Sequence, residues 1–125
     1  MYQVTVKKGF SAAHMLKEIG GKCENLHGHN FTVAVTVASE RLNAEGLVVD
    51  FRLLKEWLGE VLGELDHRCL NEVSWLEGQN PSAENLAKII FQQLSGRIRQ
   101  EGLFLQKVVV GESDNSEATY EQGPG

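Results

Sequence analysis

The chain has 125 residues, 42% of them hydrophobic and 23% charged, with a formal net charge of -5 at pH 7. That length suits a single domain with its own core, so one domain over residues 1–125 is expected. The acidic balance argues against a nonspecific nucleic-acid or anionic-membrane binder, and no apolar run approaches the ~20 residues a membrane span needs.

Tyr2, Val4 and Val6 alternate with Gln3, Thr5 and Lys7, the period of a strand running towards Phe10. A chain that opens on a strand is expected to carry no signal peptide, and Cys23 and Cys69 alone make no disulfide framework, so a reducing cytoplasm is the expected compartment. Lys17 to Cys23, with Gly20-Gly21, reads as a loop. Phe31 to Val37 alternates again and gives a second strand, and the two are expected to pair as a long antiparallel hairpin. Arg41 to Gly46 is a polar loop.

After Val48-Val49-Asp50-Phe51 the period changes. Leu53, Leu54, Trp57, Leu58, Val61 and Leu62 form one apolar stripe at helical spacing, with Glu56, Glu60 and Glu64 outside it. Asp50 reads as the N-cap, with a buried site residue as the alternative. Leu65 to Asn71 falls outside the helical pattern, and Trp75 falls in a loop. Asn80-Pro81-Ser82 is a turn handing over to a second helix, capped by Ser82 or Asn80, with Leu86, Ile90, Leu94 and Ile98 on its inner side. Leu103 to Val110 is a third strand ending at Gly111-Glu112-Ser113, Asp114 to Ser116 a turn, and Glu117 to Glu121 a short fourth strand. The order β-β-α-α-β-β predicts an α+β fold: an antiparallel four-stranded sheet with two helices on one face. Two open sheet edges lead us to expect an oligomer with shared sites.

The chemistry gathers at the start of the second strand. Side chains in a strand repeat every two residues, so His27 and His29 project from one face, with Gly28 leaving the other face clear. Two imidazoles so placed can grip one metal ion, and His14 is the best third ligand. Three imidazoles without a carboxylate suit zinc with a fourth position open to water or substrate, whereas Cys23 as fourth ligand would close the site and make it structural. The spacing leaves both open. His67 stands beside Asp66, either as a proton carrier oriented by a carboxylate or as a surface pair. Cys23 lies in a polar loop where a nearby cation or His67 would make its thiol a base or nucleophile. Cys69 reads as a small buried hydrophobe. Glu112, on the face of Val108 and Val110, is either exposed or grips two adjacent N–H groups, an edge that pterins and guanines have.

Taken together, Phe10-Ser11-Ala12-Ala13-His14, Cys23-x-x-x-His27-Gly28-His29-Asn30, Val49-Asp50-Phe51, Leu65-Asp66-His67-x-x-Leu70-Asn71, Asn80-Pro81-Ser82-x-Glu84-Asn85-Leu86-Ala87 and Val110-x-Glu112-Ser113 resemble the motifs of the 6-pyruvoyl-tetrahydropterin synthase family, over nearly the whole chain. The three-residue gap between Cys23 and His27 is most similar to the family's queuosine-pathway branch. The resemblance implies the tunnelling fold, whose units assemble into barrels (hexamer or tetramer) with active sites at subunit interfaces. It implies zinc on His14, His27 and His29. It implies Cys23 as catalytic base or proton relay with Asp66 and His67, and Glu112 as the anchor of the pterin ring. The implied reaction takes 7,8-dihydroneopterin triphosphate to 6-carboxytetrahydropterin, acetaldehyde and triphosphate. Ser82 and Ser113 stand where the family often has Thr, which keeps a hydroxyl at each place. Glu24 makes a Glu-x-x-His-Gly-His that resembles the variant leading towards folate. The pyruvoyl and folate-type outcomes are therefore alternatives, and a noncatalytic zinc-stabilised binding module is the alternative outside the enzymes.

Overall fold

Two 13-residue strands, β1 (Tyr2–His14) and β2 (His27–Ser39), carry the architecture, and a computed structural model describes them with the rest of residues 1–17 and 25–122. They pair antiparallel without a break from Tyr2↔Ser39 to His14↔His27, the long hairpin expected from the alternation. Helices α1 (Phe51–Leu62) and α2 (Ala83–Gln100) follow, then β3 (Phe104–Ser113) and β4 (Ser116–Glu121). The sheet order is β1-β2-β3-β4, each pair antiparallel.

One face of the sheet is dry. Val6, Phe10 and Ala12 of β1, Phe31, Val33, Val35 and Val37 of β2, and Leu105, Val108 and Val110 of β3 are buried under the helices. The other face is polar, and Thr5 and Thr36 bond across it, Oγ1 to Oγ1, at 2.7 Å. Helix α2 covers β3 and β4 with Leu86, Ile90, Leu94 and Ile98, the predicted stripe, while α1 lies over β1 and against α2. Being over an edge strand, α1 buries a narrower stripe than its sequence suggests. Leu54, Trp57, Leu58 and Leu62 are buried, but Leu53 is 42% exposed.

Both helices start where their caps stand. Asp50 accepts the N–H of Arg52 at 2.8 Å and also pairs with its guanidinium, so it is a cap. Ser82, and not Asn80, caps α2 by accepting the N–H of Asn85 at 3.1 Å. Trp75, expected in a loop, lies in the second of two 3-10 turns, Leu70–Glu72 and Ser74–Leu76. Turns this short carry no periodic signal.

Two irregularities position side chains. Val37↔Leu105 and Thr36↔Lys107 leave Gln106 as an extra residue in β3. At the far end, Gly111↔Glu117 and Ser113↔Ser116 leave Glu112 as another. Bulges of this kind re-aim a side chain beside functional sites.

Candidate active site

The dry face ends in polar side chains. Beyond the stacked rings of Phe10 and Phe31, 4.9 Å apart, the same face carries His14 on β1 and His27 and His29 on β2. The three imidazole centroids lie 4.5, 4.8 and 5.2 Å apart, each pair steeply inclined, and one ring nitrogen from each falls within 4.8 Å of the others. Phe31 closes the floor beneath His14 and His29.

Hydrogen bonding fixes which nitrogens converge. The carbonyl of Pro81 lies 2.7 Å from His14 Nδ1, and the carbonyl of Asn25 lies 2.7 Å from His27 Nδ1. A carbonyl only accepts, so both Nδ1 atoms carry the proton and both Nε2 atoms present lone pairs. Anchoring the distal N–H on a backbone carbonyl is how proteins orient imidazoles that ligate metals. His14 is wholly buried, and its Nε2 has no hydrogen-bond partner among the described residues. Leaving such a group bare costs about 1–3 kcal/mol. A cation among the three rings satisfies it, so these residues fit a metal ion. Burial, only partly offset by the Pro81 hydrogen bond and the Glu112 charge, holds the His14 pKa below its usual value, which keeps the ring neutral and able to coordinate.

Glu112 reaches the cluster from the β3 bulge. Its two carboxylate oxygens lie 3.8 Å from His14 Nε2 and 3.9 Å from His29 Nε2. With His14 neutral, the first contact is not an ion pair, and both distances exceed hydrogen-bond length. The carboxylate thus remains available to a ligand. It also lines a cavity of about 240 Å³ with Leu16, Ser82, Glu84 and Glu117 beside the start of α2.

The exit of β1 beyond His14 is held by two asparagines. The side-chain amide of Asn71 accepts the N–H of Met15 at 2.9 Å and donates to its carbonyl at 3.0 Å. That of Asn80 does the same for Lys17, at 2.9 Å in both directions. Each amide acts as a partner strand would. Sequence reading missed this role, although both asparagines stand in motifs that it singled out.

Asp66 and His67 dock on the outer edge of β1. Asp66 Oδ1 accepts the Ser11 N–H at 2.9 Å, the His67 N–H bonds to the Ser11 carbonyl at 2.6 Å, and the Ala13 N–H bonds to the Arg68 carbonyl at 3.0 Å. Cys69 continues the contact as a parallel bridge to Ala13 and is half-buried. The other Asp66 oxygen lies 3.0 Å from His67 Nδ1 and faces any proton carried there, with Nε2 turned away from it. The Ser11 N–H, with His67 adding to it, holds the Asp66 carboxyl below the usual range. His67 itself is 82% exposed, and its φ of 60° makes it the only non-glycine residue in the left-handed region among the described residues. That conformation costs roughly 1–2 kcal/mol and is found most often at functional sites.

The structure thus brings His14, His27, His29 and Glu112 together and joins Asp66 to His67 as a separate pair. The pair's cavity is lined by Ser11, Ala13, Gly28 and Asn30, which alternate with the three imidazoles along their strands, and also by Ala12 and by His29 of the imidazole cluster. Cys23, with Glu24, lies outside the described residues.

A two-layer domain with an open cluster of three imidazoles at the end of its core has the makings of a metal-dependent enzyme. The family model described as 6-pyruvoyl tetrahydropterin synthase matches residues 3–123. The chain belongs to that family and is an enzyme of it. A Synechocystis sp. protein named 6-carboxy-5,6,7,8-tetrahydropterin synthase is 40% identical over 99 residues, 75% of each chain. The dihydroneopterin monophosphate aldolase of Pyrococcus furiosus is 37% identical over 92 residues, 74% of each. The structure of 6-pyruvoyl tetrahydropterin synthase from Caenorhabditis elegans superposes with a TM-score of 0.83 over 98% of both chains, at 30% identity. Among the described residues no helix is long and apolar enough to cross a membrane.

Proposed function

We propose that the chain is a zinc enzyme of deazapurine (queuosine) biosynthesis, converting 7,8-dihydroneopterin triphosphate to 6-carboxy-5,6,7,8-tetrahydropterin, acetaldehyde and triphosphate. The observation that carries the proposal is the buried Nε2 of His14, unpartnered among the described residues and facing two further imidazoles with Glu112 alongside. His14, His27 and His29 hold the metal. An all-nitrogen set of three favours zinc with an open position over magnesium or calcium, which prefer oxygen. Zinc bound there supplies a Lewis acid that makes the C–H and O–H protons of the substrate side chain more acidic.

The chain's own residues do the rest. Glu112 accepts the paired N–H groups of the pterin ring and sets which side-chain carbon stands at the metal. Cys23 takes a proton on one side of that chain. His67 carries a proton on the other, its Nδ1 proton held by Asp66 so that Nε2 remains a base. Triphosphate leaves, one water is consumed, and the terminal two carbons depart as acetaldehyde. The ring gains the electrons that the side chain loses, so no redox cofactor is needed. The working site lies between copies of the chain in a homo-oligomer, where the Asp66–His67 pair of one copy serves the imidazole cluster of another; the open sheet edges support that reading.

Relatives are named for three different activities, and product analysis chooses among them. Zinc-loaded protein given 7,8-dihydroneopterin triphosphate is expected to release acetaldehyde and 6-carboxytetrahydropterin in equal amounts. A pyruvoyl product, glycolaldehyde, or no turnover with zinc fully loaded would overturn the assignment.

A further inference from the structure

The chain leaves β1 at His14, whose partner His27 is the first residue of β2, so among the described residues no strand lies beside Met15, Leu16 and Lys17. They are nevertheless held as strand residues are. Asn71 bonds to both backbone groups of Met15, and Asn80 to both of Lys17, each at 2.9 or 3.0 Å. The two clamps flank Leu16, which is half-buried. Leu16 lines the cavity of about 240 Å³ that holds Glu112. The rest of that lining is different in kind. Glu84, Glu112 and Glu117 are acidic, and Ala83 and Ala118 end at Cβ. Leu16 is therefore the large apolar side chain of the cavity, and asparagines 56 and 63 positions from the residues they grip hold the chain on either side of it.

A carboxylate that accepts two adjacent N–H groups grips a flat ring by one edge. That edge acts as a hinge. The ring can still swing out of the carboxylate plane, and its far end, which carries the substituent, moves most. Fixing the swing takes a contact on the ring's face. We propose that Leu16 is that contact. It covers one face of a flat bicyclic heterocycle held on Glu112, and Asn71 and Asn80 are the positioning residues that fix it there. Covering the face removes apolar surface from water and adds affinity. A fixed tilt decides which atom of the substituent stands at the imidazole cluster. The inference rests on the reading of Glu112 as the anchor of the ring, and it gives the two amide clamps a role in substrate recognition.

Fluorescence titration of the zinc-loaded protein with pterin itself, the ring without the substrate's side chain, tests the contact and needs no turnover. Wild type is expected to bind. Leu16→Ala should bind about tenfold more weakly with its zinc retained, and Leu16→Met within about threefold of wild type. Loss of zinc from Leu16→Ala would make Leu16 a support of His14 instead and overturn the proposal. Glu112→Gln keeps the two readings apart. Weak binding by Glu112→Gln beside wild-type binding by Leu16→Ala would overturn the role of Leu16 and leave the anchor standing, whereas no binding by wild type would overturn both. A double-mutant cycle tests the clamp. Asn71→Ala should weaken pterin binding by itself, yet add little to the loss in Leu16→Ala, because it acts through the same side chain. Wild-type affinity in Asn71→Ala, or losses that add in full, would overturn the positioning role.

Discussion

The Nδ1 proton of His14 ends on the carbonyl of Pro81, 2.7 Å away and 67 positions along the chain. The turn before α2 therefore sets the orientation of the most deeply buried imidazole. Asn80, next to Pro81, in turn clamps Lys17, and Asn85 donates to the Asn80 carbonyl at 2.7 Å. Asn80→Ala is expected to weaken zinc binding roughly 10-fold or more, as losses behind metal ligands do. It should also cost about 1–3 kcal/mol of stability for the backbone groups left unpaired. Chelator competition and urea melts read the two effects separately. Unchanged zinc affinity would mean that the turn does not position His14.

Glu112→Gln keeps the shape of the bulge and removes the charge. Zinc content should be retained, because the three imidazoles are enough to hold the ion. Loss of charged hydrogen bonds worth about 1.5–3 kcal/mol predicts a fall in kcat/KM of roughly 10- to 150-fold. A variant that loses its zinc would instead make Glu112 a support of the metal.

His67→Asn tests the pair without disturbing its backbone, since asparagine tolerates the positive φ that His67 adopts. Melting should be unchanged while turnover falls about 10²- to 10⁴-fold, the usual share of general acid–base catalysis. Turnover near wild type would reduce the pair to a surface feature.

These residues also show how far the sequence could be read. Val6, Phe10, Phe31, Val33 and the α2 stripe follow from periodicity, because each repeat places one face against the core. The approach of His14 to His27 follows from the hairpin register. What periodicity cannot express are bonds between distant segments. The Asn71 and Asn80 amides bond to Met15 and Lys17 across 56 and 63 positions, and the docking of residues 67–69 on β1 depends on a non-repeating turn. The separation of the Asp66–His67 pair from the imidazoles was equally illegible, because it requires knowing on which face of β1 the later loop settles.

The neutral state of buried His14 makes metal-free stability depend on pH. Burial lowers its folded pKa below the ordinary 6.5, so the unfolded chain binds a proton that the folded chain refuses. Stability is therefore full above pH 6.5 and declines as the pH falls below that value towards the folded pKa. Thermal melts of the chelator-treated protein between about pH 7.5 and 5 should show the decline, and His14→Leu should flatten it. An equal slope in both proteins would assign the effect to other groups.

The zinc-edge X-ray absorption spectrum of the resting, zinc-loaded protein tests the centre most directly. Three imidazole nitrogens at about 2.0–2.1 Å and one light oxygen-type neighbour are expected. A sulfur neighbour near 2.3 Å would contradict the account, because Cys23 would then be a ligand and the site a closed structural one.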